Sequence, residues 1–312
     1  MKFTGKSFLK AVLASAILLV FNSGIAQTLP VKSIAGKTDT LHLFLIGNSF
    51  SQNAARYLPQ LAKEGGHNLV IGRAEIGGCT LKKHWELAEL AAKNTEDPKG
   101  KPYNGKSLRM LLSQGTWDVV TMQQYSFHSG DVETYQPYAR KLYDLIRTLQ
   151  PNAKVVLHQT WAYRSDSKDF SLTGENVYAK NAEEMFRMSR AAYQTVAKEL
   201  DVKIIPVGDA FRKVSSGKKW GYQPDLKFDF SNPANPDLPK QDNSLHRGYY
   251  RDNSQKLVFD SHHANEAGCY LGSLVWYTFL FGESPVKLKF VPKEVSPDFA
   301  VYLKKTAKSV VR

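Results

Sequence analysis

Apolar runs of strand length alternate with amphipathic stretches of helical period through most of this chain. Residues 41–46, Leu-His-Leu-Phe-Leu-Ile, form a strand-like run that ends at Gly47, and residues 52–64 then read as a helix closed by Gly65-Gly66. A second strand is expected over 68–76, a helix over 81–93 and a third strand over 119–123. The alternation continues with a helix over 133–149, a strand over 154–158, a helix over 176–200 and a strand over 202–207. A closing helix over 264–281 is apolar on most sides. Continuous apolar strands separated by amphipathic helices predict a parallel sheet covered on both faces. Ligands in such sheets bind beyond the carboxyl ends of the strands.

The pattern breaks at about 213–256, where Gly, Pro, Asn and Asp are dense and Trp220, Tyr222, His246, Tyr249 and Tyr250 are interspersed. So long an irregular stretch inside an α/β domain predicts a lid or substrate wall. At the start, Lys2, Lys6 and Lys10 precede an apolar run over 11–21 and a small-residue stretch, Ser23-Gly24-Ile25-Ala26. This reads as a signal peptide over 1–26. Residues 27–312 are then one domain, periplasmic or secreted, with no stable membrane insertion after cleavage.

The net charge of +13 includes the three signal lysines and no signal acids. The mature chain therefore keeps about +10, which suits acidic partners. Nucleic acid is not the expected one, because the basic residues are scattered and no recognition motif accompanies them. Lysines near the C-terminus, Lys287, Lys289, Lys293, Lys304, Lys305 and Lys308, can equally serve solubility alone. Cys79 and Cys269 are the only cysteines. They can pair in an oxidising compartment, but buried free thiols are the expectation.

Candidate chemistry lies at the strand ends. Ser49 follows the first strand in Ile46-Gly47-Asn48-Ser49-Phe50-Ser51, and a late Asp260-Ser-His-His263 supplies a base and a carboxylate to orient it. His262 competes with His263 for the base, and His263 is preferred. Gly78 in Ile76-Gly77-Gly78-Cys79-Thr80 lies just after the second expected strand. Gln123 or Gln124 in Asp118-Val-Val-Thr-Met-Gln-Gln-Tyr-Ser126 offers a side-chain amide. Strand alternation allows at most one of the two glutamines to face the site. Trp161 and Arg164 follow the fourth strand, and Arg247, Tyr250 and Arg251 lie in the insertion. Aromatic faces and arginine forks are expected to bind sugar rings and carboxylates there.

Gly47-Asn48-Ser49-Phe50-Ser51 resembles the Gly-Asp-Ser-Leu-Ser block of the SGNH (GDSL) hydrolases, and Asp260-x-x-His263 resembles their last block. Ile76–Thr80 is similar to the second block. The resemblance implies Gly78 as a backbone donor to the oxyanion, Gln123 or Gln124 in place of the family's asparagine, and His263 rather than His262 as the base. Asn48 replaces the usual aspartate, and no Gly-x-Asn-Asp follows the third strand, which looks like a Bacteroidetes-type branch with a Gln-containing third block. The resemblance implies a three-layer α/β/α sandwich with a central, mostly parallel, flavodoxin-like sheet. It also implies a Ser-His-Asp ester hydrolase that needs no cofactor and no metal. With export and positive charge, the expected substrate is an O-acetyl or methyl ester on an acidic, pectic polysaccharide. The alternatives are a lipid or short-chain acyl esterase, or a glycan-binding protein on the same scaffold.

Overall fold

The computed structural model describes residues 1–2, 33–34, 40–171 and 178–311. The expected signal peptide therefore lies almost wholly outside the described residues. The described residues from 33 onward form one compact unit, which contains all the strands and helices of the described chain. Among the described residues, no helix is long and apolar enough to cross a membrane.

The first half of that unit runs β1 (Thr40–Gly47), α1 (Ser49–Ala54), α2 (Leu58–Glu64), β2 (Asn68–Glu75), α3 (Leu81–Lys93), α4 (Leu108–Leu112), β3 (Val119–Met122) and α5 (Tyr138–Leu149). The second half runs β4 (Lys154–His158), α6 (Ala182–Leu200), β5 (Lys203–Ile205), α7 (Val207–Ser215), β6 (His246–Arg251), β7 (Leu257–Ala264), α8 (Glu266–Phe281) and α9 (Pro297–Val310). The five strands β1–β5 form one parallel sheet in the order β2-β1-β3-β4-β5. This is the flavodoxin-like order, and its switch point lies between β1 and β3.

Strand residues alternate between two cores, which is the physical content of the three layers. Leu41, Leu43, Leu45, Val119, Val156 and Ile205 face the core built with α1, α2, α7, α8 and α9. Phe44, Ile46, Val120, Met122, Val155 and Leu157 face the one built with α3, α5 and α6. Helix α8 is buried along nearly its whole length, from Ala267 to Phe281. It passes so close to α1 that a Cβ on Gly272 would sit 2.8 Å from the Ala54 Cα.

Several elements differ from those the sequence pattern predicts. The helix expected over 52–64 is two helices, because Pro59 has no N–H for the ladder and is tolerated only in the first turn of α2. The helix expected from 133 begins at Tyr138, after Pro137, with a 3-10 turn at Val132–Tyr135 before it. The irregular stretch expected over 213–256 is shorter, since α7 continues to Ser215 and β6 begins at His246, leaving 216–245 irregular. Strand β6 pairs with β7 as an antiparallel hairpin outside the main sheet. Lys304, expected to serve solubility, is buried on α9 with its ammonium on the Leu288 carbonyl.

The close α1–α8 packing sets an expected outcome. Gly272→Val should cost about 1–3 kcal/mol, because added methyl groups must push α8 away from the Ala54 backbone. Urea unfolding of both proteins, at matched m-values, measures it.

Candidate active site

Ser49 is the first residue of α1, immediately after the buried central strand β1. The turn between them is held on every side. Gly47 pairs with Glu75 in the sheet, and its carbonyl accepts from the Ile76 N–H at 3.2 Å and from His84 Nε2 at 3.0 Å. A carbonyl only accepts, so His84 carries its proton on Nε2 and its Nδ1 accepts from the Tyr103 hydroxyl at 2.7 Å. Burial pushes the His84 pKa down to about 4, keeping the ring neutral.

Asn48 is fully buried and uses both ends of its amide. Its Oδ1 caps α1 by accepting from Phe50 N at 3.0 Å, and its Nδ2 donates to the Cys79 carbonyl at 3.0 Å. The second bond ties the serine turn to the Gly77-Gly78 loop. A carboxylate has no proton for it, which gives a physical reason for asparagine where the resemblance shows aspartate. Gly78 has φ +64, open space where a Cβ would stand, and an N–H with no hydrogen-bond partner among the described residues.

Opposite Ser49 stands the β6–β7 hairpin, held against α1 by the Asn53 side chain, whose Oδ1 accepts from Ala264 N at 3.1 Å. Ser49 Oγ lies 2.9 Å from His263 Nε2, and His263 Nδ1 lies 2.8 Å from Asp260 Oδ2. The other carboxylate oxygen accepts the backbone N–H groups of His262 and His263 at 3.2 and 3.0 Å. Burial pushes the Asp260 carboxyl up, but the hydrogen bonds from His263 and the two neighbouring imidazoles outweigh it and hold the carboxyl well below the usual range. Asp260 therefore stays ionised and fixes His263 with its Nδ1 proton inward and Nε2 free to accept from the serine.

His262 places Nδ1 3.2 Å from Asp260 Oδ1, and its ring lies 5.5 Å from that of Tyr163, not on the serine. Asp260, His262 and His263 also bring ligand atoms within 4.8 Å of one another, as a metal site would. Both Nδ1 atoms and both carboxylate oxygens are already engaged in the contacts just given.

Several residues expected in the site are placed elsewhere. The two glutamines do not offer the expected donor. Gln123 turns its carbonyl oxygen toward the serine turn, accepting from Asn48 N at 3.2 Å and Ser51 Oγ at 3.1 Å, while its Nε2 donates to the Gln124 carbonyl. The orientation is fixed, since Asn48 N can only donate. Gln124 sends its amide nitrogen to Thr134, at 2.8 Å to the carbonyl and 3.1 Å to Oγ1, and accepts from Leu81 N and Tyr125 N. Both are buried scaffolding.

Trp161 is not a sugar platform. It is 1% exposed, stacked between Phe50 and Phe211, with its Nε1 on the His262 carbonyl. Arg164, 2% exposed, grips Asp166 through Nε at 2.7 Å and Nη2 at 2.9 Å, and its Nη1 reaches Gln241 at 2.6 Å. Gly248 is required beside it, because a Cβ there would lie 2.1 Å from Arg164 Nη1. Arg251 is spent on the carbonyls of Pro233, Ala234, Asp237 and Gln255. Arg247 remains exposed, its guanidinium 3.6 Å above the Tyr250 ring. Cys79 and Cys269 are buried free thiols.

This edge also carries a group of rings that the sequence reasoning missed. Tyr125, Phe127 and His128, just after β3, form a ring cluster that Tyr178 joins at 5.9 Å from Phe127. The signal was present as Tyr125-Ser-Phe-His128 directly after a strand end.

The chain matches a family described as a domain of unknown function, DUF4886, over residues 42–219. It belongs to the DUF4886 family. A crystal structure of a DUF4886 family protein from Bacteroides uniformis ATCC 8492 aligns with a TM-score of 0.68 at 23% identity, over 88% of this chain and 95% of that one. Looser matches are to a candidate SGNH hydrolase from Slackia heliotrinireducens, at TM-score 0.46 and 18% identity over 77% and 99% of the two chains, and to a candidate GDSL-like lipase from Parabacteroides merdae ATCC 43184. For the latter the values are 0.44 and 16%, over 78% and 97%. No curated protein matches the sequence. The parallel sheet of this DUF4886 chain has the flavodoxin-like strand order expected from the sequence.

Two outcomes separate scaffolding from substrate contact. Arg164→Met should destabilise the DUF4886 chain by about 3–5 kcal/mol, because the Asp166 carboxylate loses its bidentate partner in a buried setting; thermal and urea unfolding measure it. Asn48→Asp should cost about 1–3 kcal/mol by turning a buried carboxylate toward the Cys79 carbonyl, with Asn48→Ala for comparison in the same unfolding series.

Proposed function

We propose that this protein is a serine ester hydrolase, exported, acting on carbohydrate esters of an acidic, pectic type. The observation that carries the hydrolase reading is the unbroken chain from Ser49 Oγ through His263 to Asp260, at 2.9 and 2.8 Å. His263 Nε2 takes the hydroxyl proton as Ser49 attacks the ester carbonyl, and the Asp260 carboxylate stabilises the imidazolium. The N–H groups of Gly78 and of Ser49 at the start of α1 receive the oxyanion, helped by the positive end of that helix turn. The imidazolium then protonates the leaving alcohol. Water, deprotonated by the same His263, releases the acid from Ser49.

The glycan reading is supported by the net charge of +13 over the whole chain and by the exposed Arg247–Tyr250 pair on the hairpin that carries the base. The ring cluster after β3 adds faces on which a sugar can stack. The signal-like N-terminus supports export, where such polymers are met.

Ser49→Ala and His263→Ala should each lower kcat on 4-nitrophenyl acetate by about 10³-fold or more, and the double variant should be scarcely worse than either, since the pair acts as a unit. His262→Ala should be much milder. Multiplying losses, or equal loss at both histidines, would contradict the assignment.

A further inference from the structure

Next to the serine turn, on the β2 side, lies a cavity of about 280 Å³ whose polar lining is Gln52, Arg73, Glu75, Tyr103, Asn104 and Lys106. Ser49 is not among its lining residues, but three connections run from it to the serine turn. Gln52 is one turn after Ser49 on α1. Glu75 is the sheet partner of Gly47, and three residues later the chain reaches Gly78. Tyr103 holds His84, which in turn holds the Gly47 carbonyl.

The charges of this cavity are unbalanced. Arg73 Nη1 bonds both Glu75 oxygens, at 3.2 and 3.0 Å, so that pair is internally neutral. The Lys106 ammonium, by contrast, has no ion-pair or hydrogen-bond partner among the described residues, although the residue is partly buried. Glu75 is kept at the cavity with its side chain only 4% exposed, a costly position for a carboxylate, and is held there by Arg73 and the Gln52 side chain. Burial pushes its pKa up, with Arg73 and the Gln52 side chain working against that. Hydroxyl groups suit the amide and the carboxylate, and a single anion suits the one unpaired cation. Of the arginines expected to read a carboxylate, Arg164 and Arg251 are consumed by the scaffold and the exposed Arg247 lies on the hairpin, so Lys106 is the unpaired cation of this cavity.

Resting on the hydrolase reading above, we infer that this cavity is the subsite for one uronic acid residue of the substrate, with Lys106 receiving the carboxylate and Gln52 and Glu75 the ring hydroxyls. The sugar then enters between α1, the end of β2 and the 102–106 loop, and the ester it carries is presented to Ser49 from the side where Gly77 and Gly78 leave open space.

The test uses the full chain and a pair of probes, O-acetylated digalacturonic acid and the same disaccharide with its carboxyl groups reduced to alcohols. The wild type should prefer the acid by about tenfold or more in kcat/KM, the worth of one charge-assisted hydrogen bond. Lys106→Met should remove most of that preference by raising KM for the acid, whereas Lys106→Arg should keep it. A wild type without the preference, or a Lys106→Met variant that retains it, overturns the subsite. Failure to hydrolyse 4-nitrophenyl acetate would sink the hydrolase reading instead. Calorimetric titration of digalacturonic acid into Ser49→Ala then reads the subsite by itself, with about tenfold weaker binding expected when Lys106→Met is added and equal binding counting against it.

Discussion

The structure depends on satisfying the backbone of one sharp turn in a place where water cannot help. Gly47 and Asn48 leave the end of a strand buried on both faces, and the Ser49 hydroxyl must emerge directly after them. An unpaired peptide group there would cost as much as a lost hydrogen bond. Each group is instead assigned a partner from a different element: His84 from α3, the Ile76 N–H after β2, Gln123 after β3, and the Cys79 carbonyl for the Asn48 side chain. The Ser49 turn is therefore positioned at once by α3 and by the segments that follow β2 and β3. The Asn48–Cys79 bond fixes the Gly78 loop relative to it, so the Ser49 hydroxyl and the Gly78 N–H share one frame.

Much of this frame was legible in the sequence because it obeys periodicity. Leu41–Ile46, Val119–Met122 and the Asp260-x-x-His263 spacing each announce a local geometry, and together they give the sheet and the contact of Ser49 with His263 and Asp260. What was not legible is how buried polar side chains choose partners. Gln123 and Gln124 were expected near the site and are near it. Yet which end of an amide faces the turn depends on a donor 75 residues away, Asn48 N, and strand alternation cannot report that.

Arginine and tryptophan misled for a related reason. Arg164 and Trp161 lie after a strand end, where ligand contacts gather, and their residue types suit sugar binding. They were instead recruited to fasten the hairpin to the main body. Arg164 donates its backbone N–H to the Ser261 carbonyl while its side chain organises Asp166, Gln241 and the rings of Tyr222, Tyr249 and Phe259. Trp161 closes the same joint at His262. A planar donor fork serves an internal carboxylate as well as an external one, and only burial distinguishes the two uses. The hairpin itself was hidden because β6 comes after the Pro- and Asn-rich chain of 216–245.

That hairpin divides the triad between two bodies of different robustness. Ser49 opens α1 directly after the central strand β1, whose two faces are held by the two cores. Asp260 and His263 ride on a two-stranded ribbon, a unit that is marginal without outside support. Its support comes from a few joints, at Asn53, Trp161 and Arg164. Local opening can therefore withdraw base and carboxylate together while the sheet stays folded. Warming should silence such a protein some degrees before it melts, and cooling should restore it without any refolding of the core.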